Sequence, residues 1–240
     1  MTGLPASPWF NPRPRVHEVA LPGGRCLVFD DVLLDPDAWV DWAAAQTFEP
    51  PQGVPYPGVA TGAPAPLAQR MEEFFATHAR SKLGARRTTE TTLRFSIVST
   101  PPAELHPVQW QCHTDMPMVP PDVLFAASVL YLFHDPQLGG TGFYRPRRSD
   151  AEISAMYVDA KRMDPARFAE RHGVTPGYMT ASNDWFDHVE SVPAAWNRMI
   201  VYDGRIFHSG DIAAPERLST DPRRGRLTLN SFFNCRRAAR

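Results

Sequence analysis

Proline sets the tightest limit on this chain: 25 of its 240 residues are proline, about twice the usual ~5% share. Its ring fixes φ and removes an amide donor, which breaks both helices and the middles of sheets. The fold must therefore be assembled from short elements with ordered connections, and composition leans toward β structure. An apolar content of 43% over this length supports one substantial core, so a single domain spanning 1–240 is expected. The formal net charge of -1 supplies no global field for nucleic acid or an anionic membrane, and neither is an expected partner. The longest nearly apolar run, Val123 to Phe133, is far shorter than the ~20 residues of a helical membrane span. The first residues lack the basic-then-apolar order of a secretory signal, and Cys26, Cys112 and Cys235 are odd in number and widely spaced. A reducing, cytoplasmic setting is the expectation.

Periodicity supplies the elements. Residues Pro5 to Pro14 read as an extended arm, and Arg25 to Phe29 as a first strand. Asp35-Pro36 supplies a helix cap and a first-turn proline ahead of Ala38 to Gln46. Pro50 to Pro66 reads as a loop. Leu67 to Leu83 places apolar residues near the 3.6 period and meets Gly84 where a helix stop belongs. From Thr91 the period becomes two: Thr91, Leu93, Phe95 and Ile97 alternate with Thr92, Arg94, Ser96 and Val98. Further strands are expected at Val108 to His113, Phe125 to Phe133, Gly142 to Arg145, Trp185 to Val192, Arg198 to Asp203 and Leu227 to Cys235. Asp150 to His172 carries two short helical patterns, the second opening at Asp164-Pro165, and reads as an insertion on a β scaffold.

The chemistry begins at His113-Thr114-Asp115. Two residues apart on a strand puts an imidazole and a carboxylate on one face. A second imidazole, for which His208 is the candidate, would complete the facial set that leaves coordination positions open on a non-haem Fe(II) centre. His188-Val189-Glu190 is a rival pair, although it precedes His208 by only 20 residues. After His208, Arg226, Thr228 and Asn230 form a polar row that alternates with Leu227, Leu229 and Ser231. Inside a barrel that row would offer a forked guanidinium and a hydroxyl to a buried carboxylate. Arg224 competes for that role, and Arg226, the immediate neighbour of Thr228 in the alternation, is preferred. Tyr131, in an apolar strand, is a further candidate near the same carboxylate, although core packing is the ordinary role of such a tyrosine. Trp110, Trp185 and Trp196 read as pocket walls or core. Arg145, Arg147 and Arg148 read as a solvated run, and Pro55-Tyr56-Pro57-Gly58 and the insertion as candidate mouth segments.

His113-x-Asp115, the distal His208 in Tyr202-Asp-Gly-Arg-Ile-Phe-His208, and Arg226-Leu-Thr228 together resemble the Fe(II)/2-oxoglutarate-dependent oxygenase superfamily. Ser128 to Phe133 followed by Gly139-Gly-Thr-Gly-Phe-Tyr144 is similar to its prolyl-hydroxylase-like and phytanoyl-hydroxylase-like branches. The likeness covers roughly residues 90 to 235. It implies a mainly β fold with flanking helices, a double-stranded β-helix (jelly-roll, cupin-like). Its core would span 90–235 with a helical insertion at 149–173, supported by an N-terminal strand and helices at 15–89. It also implies Fe(II) on His113, Asp115 and His208, 2-oxoglutarate held by Arg226 and Thr228 with Tyr131 nearby, and dioxygen as oxidant. Succinate and CO2 would be released as a C–H bond of a small-molecule or amino-acid-type substrate is hydroxylated or otherwise oxidised. The carboxylate at Asp115 favours oxidation over halogenation, because related halogenases carry a small residue there. The alternatives are a cupin-like metalloenzyme that does not use 2-oxoglutarate and a non-catalytic jelly-roll binding protein.

Overall fold

A computed structural model describes residues 3–116 and 118–237. Ten strands are found among them, in two antiparallel sheets. The strands are β1 (Arg15–Leu21), β2 (Gly24–Asp30), β3 (Gly58–Gly62), β4 (Ala85–Val98) and β5 (Val123–Tyr131), then β6 (Thr141–Pro146), β7 (Phe186–Val192), β8 (Arg198–Asp203), β9 (Phe207–Gly210) and β10 (Arg226–Arg237). The larger sheet runs β1-β2-β8-β5-β10-β4-β3 and the smaller β7-β6-β9. One isolated bridge, His113 to His208, continues the smaller sheet beyond β9. Strands β4, β10, β5 and β8 thus face the row formed by the His113 segment, β9, β6 and β7. From β4 onward the chain passes back and forth between the two rows, only β6 and β7 following one another in the same row, which is the winding of a jelly-roll.

Alternation along the larger sheet separates two cores. Its outer face carries Phe95, Ile97, Leu227, Leu229, Phe233 and Leu130, packed with residues of helices α1 (Pro36–Ala44) and α2 (Ala65–His78). Phe233 stacks on Phe75 of α2 with centroids 3.9 Å apart. The inner face packs Tyr131, Ile200 and Tyr202 against Phe143 and Val192 of the smaller sheet. Asp35 caps α1 through its side chain, which accepts from the Ala38 amide at 3.0 Å. Gly84, at φ 76, ends the short turn that follows α2.

The expected strand at Val108 to His113 is a correction. His106 and Gln109 cap a 3-10 turn over Pro107–Gln109, proline suits its first position, and only His113 pairs with a strand. The loop expected over 50–66 contains β3, and β1 and β9 also lay outside the expected strands. The insertion folds as α3 (Asp150–Arg162) and α4 (Pro165–His172). It does not line the central cavity and forms a third core with Trp110, Cys112 and Phe186. No helix is long and apolar enough to cross a membrane among the described residues.

Removing the Phe233 ring is expected to cost about 3–5 kcal/mol, the usual range for emptying a core of an aromatic ring. Urea denaturation of Phe233→Ala measures this, and a loss under 1 kcal/mol would mean the stack with Phe75 does not tie α2 to the sheet.

Candidate metal centre and cavity

The site is built on a reciprocal backbone pair. The His113 amide donates to the His208 carbonyl at 2.9 Å, and the His208 amide returns a bond to His113 at 2.8 Å. That pairing brings the two rings to a centroid separation of 4.5 Å. Asp115 is held separately, its amide donating to the Gly204 carbonyl at 2.8 Å, while the Gly204 amide donates to Phe125 of β5. Its position therefore comes from a bend anchored on the turn after β8, and strand alternation does not set it. Gly204 suits this close approach: a Cβ would lie 2.9 Å from Phe125 Cδ1 and 3.2 Å from Asp115 Oδ2, so the Phe125 ring would have to shift to admit one.

One ligating atom from each of His113, Asp115 and His208 lies within 4.8 Å of the other two. Asp115 Oδ1 is 3.9 Å from His113 Nε2, and Oδ2 is 3.5 Å from His208 Nε2. His208 Nδ1 donates to the Ile206 carbonyl at 2.9 Å, so the Nε2 lone pair faces the other two groups. Burial lowers the His208 pKa to about 4. Desolvation by the surrounding chain, followed by the neighbouring His208, lowers His113 to about 4 as well, although its side chain is 53% exposed. Burial raises Asp115 to about 6 against the opposing pull of His113 and Arg94. Near neutral pH the set is therefore two neutral imidazoles and one carboxylate. Asp115 Oδ2 is also buried without a hydrogen-bond partner among the described residues. A desolvated carboxylate oxygen beside two nitrogen lone pairs fits a divalent cation.

These three residues line one part of a cavity of about 450 Å³. Arg226 lines it too and is only 5% exposed. Its Nε donates to the Leu138 and Gly139 carbonyls at 3.0 and 3.1 Å, and Nη2 to Gly140 at 2.8 Å. The Gly-Gly turn before β6 therefore holds this guanidinium. Only glycine fits there: Gly139 has φ +82, and a Cβ on Gly140 would lie 2.0 Å from the Val192 carbonyl. No carboxylate pairs with Arg226 among the described residues. Thr228 and Tyr131 are buried but do not line the cavity. The Thr228 hydroxyl donates to Ser96 at 3.4 Å, Tyr131 shares a 2.8 Å bond with Thr141, and the Tyr131 ring lies 5.9 Å from the Arg226 guanidinium carbon.

Other sequence candidates separate cleanly. Val54 to Pro57 line the cavity, whereas Trp110, Trp185, Trp196 and Arg224 do not. His188 is engaged with Ser191 at 2.9 Å. Arg145 and Arg147 share Asp187 in exposed ion pairs. The insertion buttresses the site: Tyr157 of α3 donates to the Cys112 carbonyl, one residue before His113. Sequence reasoning missed Arg94 of β4, whose Nε is buried without a partner in the same cavity. Its signal was an arginine set between Leu93 and Phe95 on the polar side of a period-two strand.

Mn(II), an oxygen-stable probe of the site, is expected to raise the melting temperature by several °C at pH 7.5. The rise should fade as pH falls below about 6, where Asp115 takes up a proton. Asp115→Asn should abolish the rise while leaving the metal-free protein as stable or more so. Its carboxyl, raised from 3.8 to about 6, costs the fold up to about 3 kcal/mol above both values. Scanning calorimetry of both proteins measures this, and a rise retained in Asp115→Asn would remove Asp115 from the site.

Comparison by sequence with curated proteins finds no match. Among solved structures the chain is similar to HygX from Streptomyces hygroscopicus, crystallised with nickel and 2-oxoglutarate bound; identity is 10%, coverage is 88% of this chain and 82% of that one, and the TM-score is 0.49. A prolyl-4-hydroxylase from Pseudomonas putida follows at 15% identity, 85% and 84% coverage and TM-score 0.40. The alpha ketoglutarate dependent epimerase SnoN from nogalamycin biosynthesis shows 14% identity, 85% and 76% coverage and TM-score 0.43. The profile of one protein family matches residues 10–233, and the chain accordingly belongs to the family of unknown function DUF6445.

Proposed function

We propose that this protein is an Fe(II)- and 2-oxoglutarate-dependent oxygenase that oxidises a C–H bond of a small molecule. The observation that carries the reading is the shared cavity: a His-Asp-His set and a buried guanidinium without an acidic partner line the same space. Two neutral imidazoles and a carboxylate would hold Fe(II) and leave positions open for a bidentate keto acid and dioxygen. When bound, the metal and co-substrate would let dioxygen serve as the oxidant, one oxygen atom going into succinate as 2-oxoglutarate loses CO2 and the other being available to oxidise the C–H bond.

The residues of the chain bind, orient and shield. Arg226 anchors the far carboxylate of the co-substrate. A guanidinium whose only partners are neutral carbonyls is a buried cation awaiting an anion, and a charge-assisted pair with a carboxylate is the strongest remedy. Tyr131 and Thr228 act from behind it, Tyr131 packing its ring beside the guanidinium and Thr228 fixing β10 to β4. The Ile206 carbonyl keeps His208 in the tautomer that presents Nε2. Val54 to Pro57 restrict the cavity mouth and limit the access of water. The three cysteines are free and buried, which suits a reducing compartment such as the cytoplasm.

Anaerobic titration of the Fe(II)-loaded protein with 2-oxoglutarate should produce a visible metal-to-ligand absorption band, and succinate should accumulate once air is admitted. Arg226→Met should weaken 2-oxoglutarate binding at least tenfold while the Mn(II) shift in melting temperature persists. Metal binding with no band at any 2-oxoglutarate concentration would instead support a cupin-like metalloenzyme, and absence of metal binding a non-catalytic jelly-roll.

A further inference from the structure

The charges of the cavity do not balance once it is loaded. Its charged lining groups are Arg94, Arg226 and Asp115, because an imidazole that ligates a metal through its lone pair does so as the neutral ring. A divalent ion added to these leaves three positive charges, and a dicarboxylate co-substrate offsets two. One positive charge remains in a partly enclosed cavity, where a poorly solvated charge without a counter-ion is costly.

The unpaired charge can be located. Arg226 is tied to the Gly139-Gly140 turn, while Arg94 makes no ion pair among the described residues and its Nε is buried without a partner. Asn230 lies directly across from Arg94 in the β4–β10 register. It is 9% exposed, and its Oδ1 is likewise buried and unpartnered. The Tyr56 hydroxyl, with the Ser96 and Thr228 side chains near it, and the Ser128 hydroxyl are further buried polar atoms of this cavity without a well-formed hydrogen bond among the described residues. The guanidinium carbon of Arg94 lies 5.5 Å from the ring centroids of both Tyr56 and Phe232, so aromatic faces hold the head group in place. Arginine N–H groups, a phenol O–H and an amide NH2, which the Asn230 side chain presents on rotation, are all donors to an anion.

Resting on the oxygenase reading above, we propose that Arg94, Asn230 and Tyr56 form a second anion subsite, and that the oxidised substrate is a monocarboxylic acid. Its carboxylate meets Arg94 while its carbon chain lies along Phe125, Val129 and Phe232 toward the metal. A singly charged acid neutralises the loaded cavity, whereas a neutral or cationic substrate leaves or enlarges the imbalance.

The test uses the full chain loaded anaerobically with Fe(II) and saturating 2-oxoglutarate. Acetate, hexanoate, phenylacetate and benzoate are titrated against their carboxamides by calorimetry, with the metal-to-ligand band recorded in parallel. At least one acid should bind ten times or more tighter than its amide, and Arg94→Gln should erase that preference while the 2-oxoglutarate midpoint stays within about twofold. If no acid binds, or acids and amides bind alike, the subsite is overturned while a retained 2-oxoglutarate band leaves the oxygenase reading standing. If Arg94→Gln loses the band and Arg226→Gln keeps it, Arg94 is the co-substrate anchor and the proposal fails. If the native protein shows no band, the oxygenase reading itself falls, and the proposal with it.

Discussion

Two backbone hydrogen bonds between His113 and His208 hold this molecule's function together. The residues are 95 positions apart, so their meeting depends on the fold between them. Their reciprocal amide–carbonyl pair is the last rung of the smaller sheet, beyond the end of the regular ladder. Everything in between is the path required to bring that rung into being: β5 crosses to the larger sheet, β6 and β7 return, and β8 and β9 deliver His208 from the opposite side. A single rung is worth little on its own. The buttress from α3 therefore matters, since Tyr157 holds the Cys112 carbonyl and the Met179 sulfur receives the Cys112 amide at 3.3 Å.

The cavity runs against the ordinary logic of a stable interior. Cores satisfy their polar groups, yet Asp115 Oδ2, Arg94 Nε, Asn230 Oδ1 and Tyr56 Oη are all buried without partners. Each costs free energy in the empty protein. The outer core carries that cost, with Trp39, Phe75, Phe95 and Phe233 fully buried away from the site. Stability is stored on one face of the larger sheet and spent on the other, and a period of two in β4 and β10 keeps the faces apart. Leu93 and Phe95 belong to one function, and Arg94 between them to another.

How much of this the sequence discloses depends on how strongly burial marks each segment. Strands β5 and β10 are buried along most of their length and β4 over its last four residues, Phe95 to Val98, so alternation or apolar runs reveal them. By contrast, β1 is exposed over nearly all its length, and nothing in Arg15–Leu21 distinguishes an edge strand from a solvated arm. Strand β3 is built from Gly, Ala, Val and Thr within a proline-rich stretch, and β9 has four residues. These two exist because of their neighbours. The candidate metal residues were legible as residue types at a spacing, but the reason for their convergence was not. The sequence suggests strand alternation for His113 and Asp115, whereas the chain makes a 3-10 turn, one bridge and a bend. Arg94 was passed over because an arginine in a strand ordinarily faces water.

The Gly139-Gly140 turn shows why the fold and the cavity cannot be considered apart. Its glycines are demanded by close approach of the Asp211 and Val192 backbone, a packing requirement at the start of β6. The same approach turns three successive carbonyls toward Arg226 and fixes its guanidinium from one side. Strand β6 then runs on from Thr141 to pair with β9, where Phe143 lies opposite His208. A disturbance at the turn thus reaches the Arg226 guanidinium through hydrogen bonds and the His208 imidazole through strand register. The two ends of the cavity therefore share a single short segment of backbone, a physical route by which a change at one would be felt at the other.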